Sequence, residues 1–495
     1  MRKILILLTI FTITFCYSFS SETSSTAKEE RVHYSITIDE ILNKKVHVKV
    51  SFFPKNDTLY MDPGANQFTN RWANFVSDVR VYNKGGKKIK LKVLGDAKWK
   101  MNILKKEELT LEYTVNLTHD THKWSSGLDG ATFSTEKGIF CATRSLIILN
   151  GKERTNIDVD VNIPKSSKFT SSWKPKDNSQ YSFKLKSIDE LSQSMFFVGS
   201  QEEIVVSRNG FKLIFSLGGE EVIRRKDFYS KMALGILDYY ESLMGGVPKL
   251  DSSVFAVFIN PGSRADGEVI GNSICVLVKK NGNDMEDIIS NFIFSHEFFH
   301  LWSGKSFAPI DDRTEWFKEG YANYYAIKAL YNIGYLTEES FTNFLSDFFF
   351  NKYITDDGLG KISMIQGEEK HDHWGLIYAG GLFAGIVQDI DIRLNSNNTK
   401  SLDDVMKVLF TNYSGDDRGY SLEDLMEISS DIKGENQESF FKKYITGKKR
   451  VPIETYLSKI GLKSKVDGGK LIINREDNLS KFQIQLINAM FGKGY

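Results

Sequence analysis

Cysteine is scarce in this chain. Three occur in 495 residues, Cys16, Cys141 and Cys275, too few for a disulfide framework. Cys141 and Cys275 could pair in an oxidising compartment or stand as buried thiols, and the sequence leaves both open. A surplus of either charge is also missing, with 64 Lys and Arg against 63 Asp and Glu. Without a basic field there is no electrostatic case for nucleic acid as a partner. Histidine is limited to eight residues. The apolar run at the N-terminus, Ile4 to Phe15, is too short to cross a bilayer comfortably.

That run follows Arg2 and Lys3 and precedes the small residues Ser18 and Ser20, the layout of a secretory signal cleaved before Ser21. Export to the medium, periplasm or cell envelope is therefore expected, with no stable membrane span in the mature chain. Lipidation at Cys16 is disfavoured by Phe15 before it.

The 41% apolar content of a chain this long can bury more than one core. After a polar leader from Ser21, several runs alternate with period two. Val46, Val48, Val50 and Phe52 form one, Ile89, Leu91 and Val93 another. Leu109, Leu111, Tyr113, Val115 and Leu117 form a third, Ile157, Val159, Val161 and Ile163 a fourth. Half-buried strands with little helix between them predict an antiparallel sandwich over 21–205. His33, His47, His119 and His122 fall here and read as surface residues. Beyond residue 205 helical periodicity takes over. Phe228 to Leu243 precede the stop Gly245-Gly246-Val247-Pro248, and Val254–Ile259 and Ser273–Val278 read as short buried strands. Ser401 with Asp404 and Ser421 with Asp424 have capping-box spacing. The expected class is multidomain α+β: signal 1–20, sandwich 21–205, mainly helical catalytic domain with a small sheet 206–450, and a C-terminal appendage 451–495.

One stretch carries chemistry. His296-Glu297-Phe298-Phe299-His300 continues an apolar stripe of Met285, Ile288, Ile289, Phe292 and Ile293, the i, i+3, i+4, i+7 pattern of a helix. At ~100° per residue, His296, His300 and Glu297 lie at about 0°, 40° and 100°, on one predicted buried face. Two imidazoles one turn apart suit a tetrahedral metal site. Nineteen positions on, Glu319 sits in a second helical segment read as capped by Thr314 and stopping near Gly334. His296, His300 and Glu319 make a His2Glu set that leaves a fourth position open, as a catalytic zinc requires. Glu297 is placed beside one zinc ion per chain as a general base. His371-Asp372-His373 reads as a solvent-exposed loop, and the aromatic run Phe341 to Phe350 as core or groove lining.

HEFFHLW followed by WFKEGYANYY resembles the gluzincin metallopeptidases, and within them the glycyl aminopeptidase family, similar to aminopeptidase N. Of that family's Trp-Asn-Val-Lys-Arg-Ile-Arg-Pro stretch, Trp302, Lys305 and Pro309 match, while Ser306 and Ala308 replace both arginines. The family's Gly-Gly-Leu-Glu-His-type stretch corresponds to Gly267-Glu268-Val269-Ile270-Gly271, with the acidic residue displaced by one, so a role for Glu268 in gripping a substrate amine is in doubt. Tyr378 and Gly381 match a Tyr-x-Lys-Gly segment whose tyrosine, the resemblance implies, donates to the oxyanion; the lysine is Gly380 here. Relatives end in a PDZ-like module, against which 451–495 reads as truncated. The resemblance implies a secreted aminopeptidase-like zinc peptidase acting on peptides or proteins. Two alternatives stand beside it: a retired peptidase fold used for binding, and a zinc hydrolase of a non-peptide bond. Oligomeric state stays open.

Overall fold

The computed structural model describes residues 31–103, 107–124, 130–177, 179–262, 265–415 and 418–491. The expected signal over 1–20, with Cys16, lies outside them. The chain forms two compact units that interleave along the sequence. The first takes Met1–His119, Thr143–Lys165 and Trp173–Gln193, and the second Asp120–Ala142, Ser166–Ser172 and Ser194–Tyr495.

The first unit is built of sheets. Seven strands lie in the order Ser182–Leu185, Ile157–Asn162, Val32–Thr37, Lys45–Phe52, Leu109–Asn116, Val76–Asn83, Lys88–Ile89. All neighbours are antiparallel except Val32–Thr37 with Ile157–Asn162. Val46, Val48, Val50 and Phe52 point into the core while Lys45, His47 and Lys49 are exposed, as a one-face-buried sheet requires. Thr58–Tyr60, Lys98–Met101 and Leu91–Gly95 make a second sheet. Two expectations need correction. The Ile89, Leu91, Val93 run is split between the sheets, and Val93 is 65% exposed, because alternation reports a strand but not which sheet it joins. His119 is buried, its ring 3.9 Å from that of Phe75 and 5.7 Å from that of Trp72, so it packs among aromatic rings.

The second unit is layered. Its five-stranded sheet runs Glu202–Arg208, Phe211–Leu217, Val254–Gly262, Ser273–Lys279, Asp266–Ile270, with the three central strands parallel. Val254, Ala256 and Phe258 face helices, while Phe255, Val257 and Ile259 face a four-stranded sheet containing Gly138–Ala142 and Met195–Gly199. Burial on both faces explains why these strands read as continuous apolar runs. Cys275 sits in the layer between the sheets. Cys141 lies between Phe140 and Ala142, which face that layer, so it points away; both cysteines are free and buried.

Four helices frame the rest: α1 (Lys226–Met244), α2 (Asp284–Phe299), α3 (Glu315–Asn332) and α4 (Gly380–Asn395). Gly245 ends α1 with φ 80°, its N–H bonded to the Glu241 carbonyl, the left-handed cap glycine favours. The Ser421–Asp424 capping box forms in both directions. Beyond residue 450 a helix, a hairpin (Leu462–Asp467, Lys470–Arg475) and a final helix (Lys481–Phe491) add Leu457, Leu471, Leu486 and Met490 to the same core. The observed class is mixed α+β, sandwich-like sheets followed by a helical part. Among the described residues one helical run, Gly375–Asn395, is long and apolar enough to cross a membrane, and it is buried in this core.

Candidate active site

Asn283 opens α2 with a reciprocal capping box: its side chain accepts the Glu286 N–H at 3.0 Å, and Glu286 accepts the Asn283 N–H at 2.9 Å. Phe294, Phe298 and Phe299 bury one side of the helix completely. The stripe predicted to be buried is only partly so, with Phe292 in the core and its neighbours more open. Met285 is 41% exposed, Ile288, Ile289 and Ile293 are half-buried, and Phe292 and Ile293 border a cleft. Two apolar faces exist on α2, and periodicity does not say which meets solvent. His296 and His300 belong to the cleft side. The edge strand Asp266–Ile270 approaches this helix at Gly267, where a Cβ would come within 2.1 Å of the Ile293 side chain.

Glu319 comes from α3. Thr314 precedes that helix without a side-chain cap bond; the turn Asp312–Thr314 is capped instead by Asp311, which accepts the Arg313 N–H at 3.0 Å. The position of α3 is set where Gly320 meets Gly381 of α4: a Cβ on Gly320 would lie 2.4 Å from Gly381 backbone atoms. Two helices cross there in close backbone approach, one residue from Glu319 and three from Tyr378.

The three expected ligand atoms converge. His296 Nε2 lies 3.1 Å from His300 Nε2, and Glu319 Oε2 lies 3.3 Å and 3.2 Å from the two nitrogens. Bonds of ~2.0–2.1 Å to a tetrahedral zinc put ligand atoms about 3.3 Å apart, so the triangle fits that ion without rearrangement. The tautomer agrees. His300 Nδ1–H donates to the Ser303 carbonyl at 2.9 Å, leaving the Nε2 lone pair facing the other two atoms. The two histidines hold the Glu319 carboxyl well below the usual carboxylate range, overcoming a burial that alone would raise it. Glu297 has its carboxylate within 4.8 Å of both imidazoles. Burial pushes its pKa up to about 7 against the opposing pull of His296, with Glu319, Glu268 and Asp266 adding to the rise.

Glu319 Oε1 points the other way. Lys318 Nζ and Lys370 Nζ each lie 3.4 Å from it, and Glu315 bridges the two lysines at 2.6 Å and 2.5 Å. Sequence reasoning missed this clamp. Glu315, Lys318 and Glu319 at i, i+3 and i+4 were a signal for it, whereas Lys370 arrives from another segment.

Tyr378 sits on a π-helical turn, Gly375–Ala379, leading into α4, a winding that recurs at functional sites. Its ring lies 6.5 Å from that of His296 and stacks on Trp374 at 5.3 Å and 8°. Asn323 donates to the Tyr378 backbone carbonyl at 3.2 Å. Burial, then the carboxylates of Glu319, Glu297 and Glu315, drive the phenol pKa up, so it remains an O–H donor. Among the described residues no backbone carbonyl accepts from that hydroxyl.

The cleft holding these groups has a volume of about 780 Å³ and takes in Asp266–Val269 on one side and Phe348, Lys352, His371 and Trp374 on another. Glu268 is not aimed at the histidines alone, since its carboxylate accepts the Gly130 N–H at 2.9 Å. His373 bonds Asp356 at 3.0 Å and lies 3.3 Å from Asp357, away from the triangle.

Residues 33–200 match the Peptidase M61 N-terminal domain. That match supports a peptidase. No curated protein matches the chain at a significant level. A crystal structure of an aminopeptidase N family protein from Idiomarina loihiensis shares the fold with a TM-score of 0.71, at 17% identity over 88% of this chain and 79% of that one.

Proposed function

We propose that the chain is an exported, zinc-dependent metallopeptidase of aminopeptidase-like type, with one zinc ion on His296, His300 and Glu319. The observation that carries the reading is the 3.1–3.3 Å triangle of ligand atoms. When bound, zinc supplies Lewis acidity toward the scissile carbonyl and lowers the pKa of water toward ~7. Glu297 takes a proton from the attacking water and delivers it to the leaving amine. Tyr378 O–H donates to the oxygen on which charge develops, an interaction stronger in the transition state than before it. The edge strand Asp266–Ile270 pairs on one side only among the described residues and borders the cleft. A strand bordering the cleft suits an extended peptide laid alongside it, which favours a peptide over a non-peptide substrate. A retired scaffold would have no need of Glu297 beside three intact ligands.

The test is metal content with turnover. Purified protein is expected to hold close to one zinc by mass spectrometry, to cleave a peptide library, and to lose that activity to a chelator. Glu297→Gln should keep the metal and lose turnover; full activity in that variant sinks the mechanism. N-terminal sequencing of exported protein should find a start near Ser21, and an intact Met1 on cytosolic protein would overturn the export reading.

A further inference from the structure

Beyond Tyr378 the aromatic wall of the cleft continues outward in a ladder that ends on a charge. Trp374 stacks on Tyr378, and Lys352 Nζ lies 4.4 Å from the Trp374 ring centre and 4.2 Å from that of Phe348. Its backbone is held against the same turn, for a Cβ on Gly375 would come within 2.1 Å of the Lys352 carbonyl oxygen. The side chain is exposed to the cleft. Lys318 and Lys370, by contrast, are bound to Glu315. No carboxylate among the described residues comes within ion-pair distance of Lys352. The acidic groups bordering the cleft are Asp266, Glu268, Glu297 and Glu319, on the edge strand and around the histidine pair.

An ammonium in the corner of two near-perpendicular rings, whose centres lie 5.8 Å apart, is only partly satisfied. The faces attract its charge, but its three N–H donors meet no protein acceptor among the described residues. The rings also hold the lysine stem in place, so less freedom is lost when an anion binds. A carboxylate would complete the coordination with charge-assisted hydrogen bonds. The surrounding protein disfavours the bare charge and lowers the lysine pKa, which an arriving anion would reverse.

We propose that Lys352, set over Phe348 and Trp374, is a carboxylate-binding subsite, so that this enzyme prefers peptides carrying an anionic group within a few residues of the bond it cuts. The proposal rests on the peptidase reading. Two sources of carboxylate fit, an Asp or Glu side chain and the C-terminus of a short peptide.

The experiment compares kcat/KM for a neutral peptide with its versions carrying Glu at each successive position, each with a free and an amidated C-terminus. The zinc-loaded enzyme should favour one anionic set by about tenfold or more, the range of a hydrogen bond between charged groups. Loss of the preference on amidation assigns it to the C-terminus; survival assigns it to a side chain. Lys352→Met should level the ratio, Lys352→Arg should largely retain it, and Lys352→Glu should turn it toward basic peptides. Because each ratio comes from one preparation, it does not depend on how much of a variant folds. An active enzyme with a flat ratio, or a ratio unchanged by Lys352→Met, overturns the subsite. Absence of cleavage of every peptide by zinc-loaded protein overturns the peptidase reading and the subsite with it.

Discussion

Glu315 touches neither histidine, yet its removal should weaken metal binding. Glu319 has two oxygens with different neighbours: Oε2 faces the imidazoles, and Oε1 faces Lys318 and Lys370 at 3.4 Å each. Glu315 neutralises part of the lysine charge from a buried position. The four side chains sum to zero. Glu315→Gln leaves the group at +1 and lets both ammoniums compete with the metal for Glu319. Electrostatics and loss of positioning then act in the same direction. Lys370→Met is less decisive, because removing a positive charge favours a cation while loosening the clamp disfavours it. Supporting residues of this kind change metal affinity by about 10–100-fold, or ~1.4–2.7 kcal/mol. Stability should fall too. Breaking a buried pair costs about 3–5 kcal/mol, but both lysines keep a fifth of their side-chain surface in solvent and glutamine can still accept a hydrogen bond, so ~1–2 kcal/mol is a better expectation. The assay is zinc competition against a chromophoric chelator, with melting curves for the zinc-loaded and stripped forms. A zinc Kd for Glu315→Gln equal to or tighter than wild type would refute the clamp.

Two other outcomes follow from the packing around the same helices. Tyr378→Phe should keep fold, zinc and KM while kcat drops about 100–1,000-fold, the loss seen for one oxyanion donor; a change below ~3-fold in zinc-loaded protein removes Tyr378 from that role. Gly320→Ala should be stabilising by about 1 kcal/mol on helix propensity, but the 2.4 Å approach to Gly381 reverses the sign, with an expected loss of about 1–3 kcal/mol from overpacking. A melting temperature equal to or above wild type would contradict that crossing.

The residues of the triangle were legible because their chemistry is local: two histidines one turn apart and a carboxylate on the next polar-apolar segment. Strands that bury one face were legible for the same reason, as with Val46 to Phe52. What was not legible depends on long-range placement. The stripe from Met285 to Ile293 has perfect periodicity, yet only Phe292 of it is fully buried, while Phe294 and Phe298 fill the deeper core. His119 carries no pattern that distinguishes a surface ring from one stacked on Phe75. The helix Lys481–Phe491 went unread, and nothing local in it tells that Leu486 and Met490 join the main core. Lys370 and Lys352 are ordinary lysines in sequence; only folding brings one to the Glu319 carboxylate and the other over two aromatic rings.

Buried charge alone does not mark the site, since α3 carries two ionic clusters, one toward each end. The second surrounds Asp389, whose oxygens accept from Arg393 at 2.9 Å, Tyr324 at 2.7 Å and the Leu402 N–H at 3.1 Å, with Lys328 at 3.6 Å. Arg393 and Lys328 hold its carboxyl down to about 2, although burial alone would raise it. Every strong acceptor there meets a donor, and Asp389 has no exposed surface, so the cluster has nothing left to offer a ligand and serves to tie α3, α4 and the following helix together. The Glu319 cluster meets two lysines on its Oε1 side and borders the cleft. On the other side Glu319 Oε2 and two imidazole nitrogens face one another across 3.1–3.3 Å at the edge of an open cleft. His300 commits its Nδ1–H to Ser303 and turns its Nε2 toward Glu319 Oε2, so this half of the cluster presents polar atoms at the cleft. Closure on itself separates the Asp389 network from the Glu319 cluster, whose imidazole and carboxylate atoms converge at the cleft.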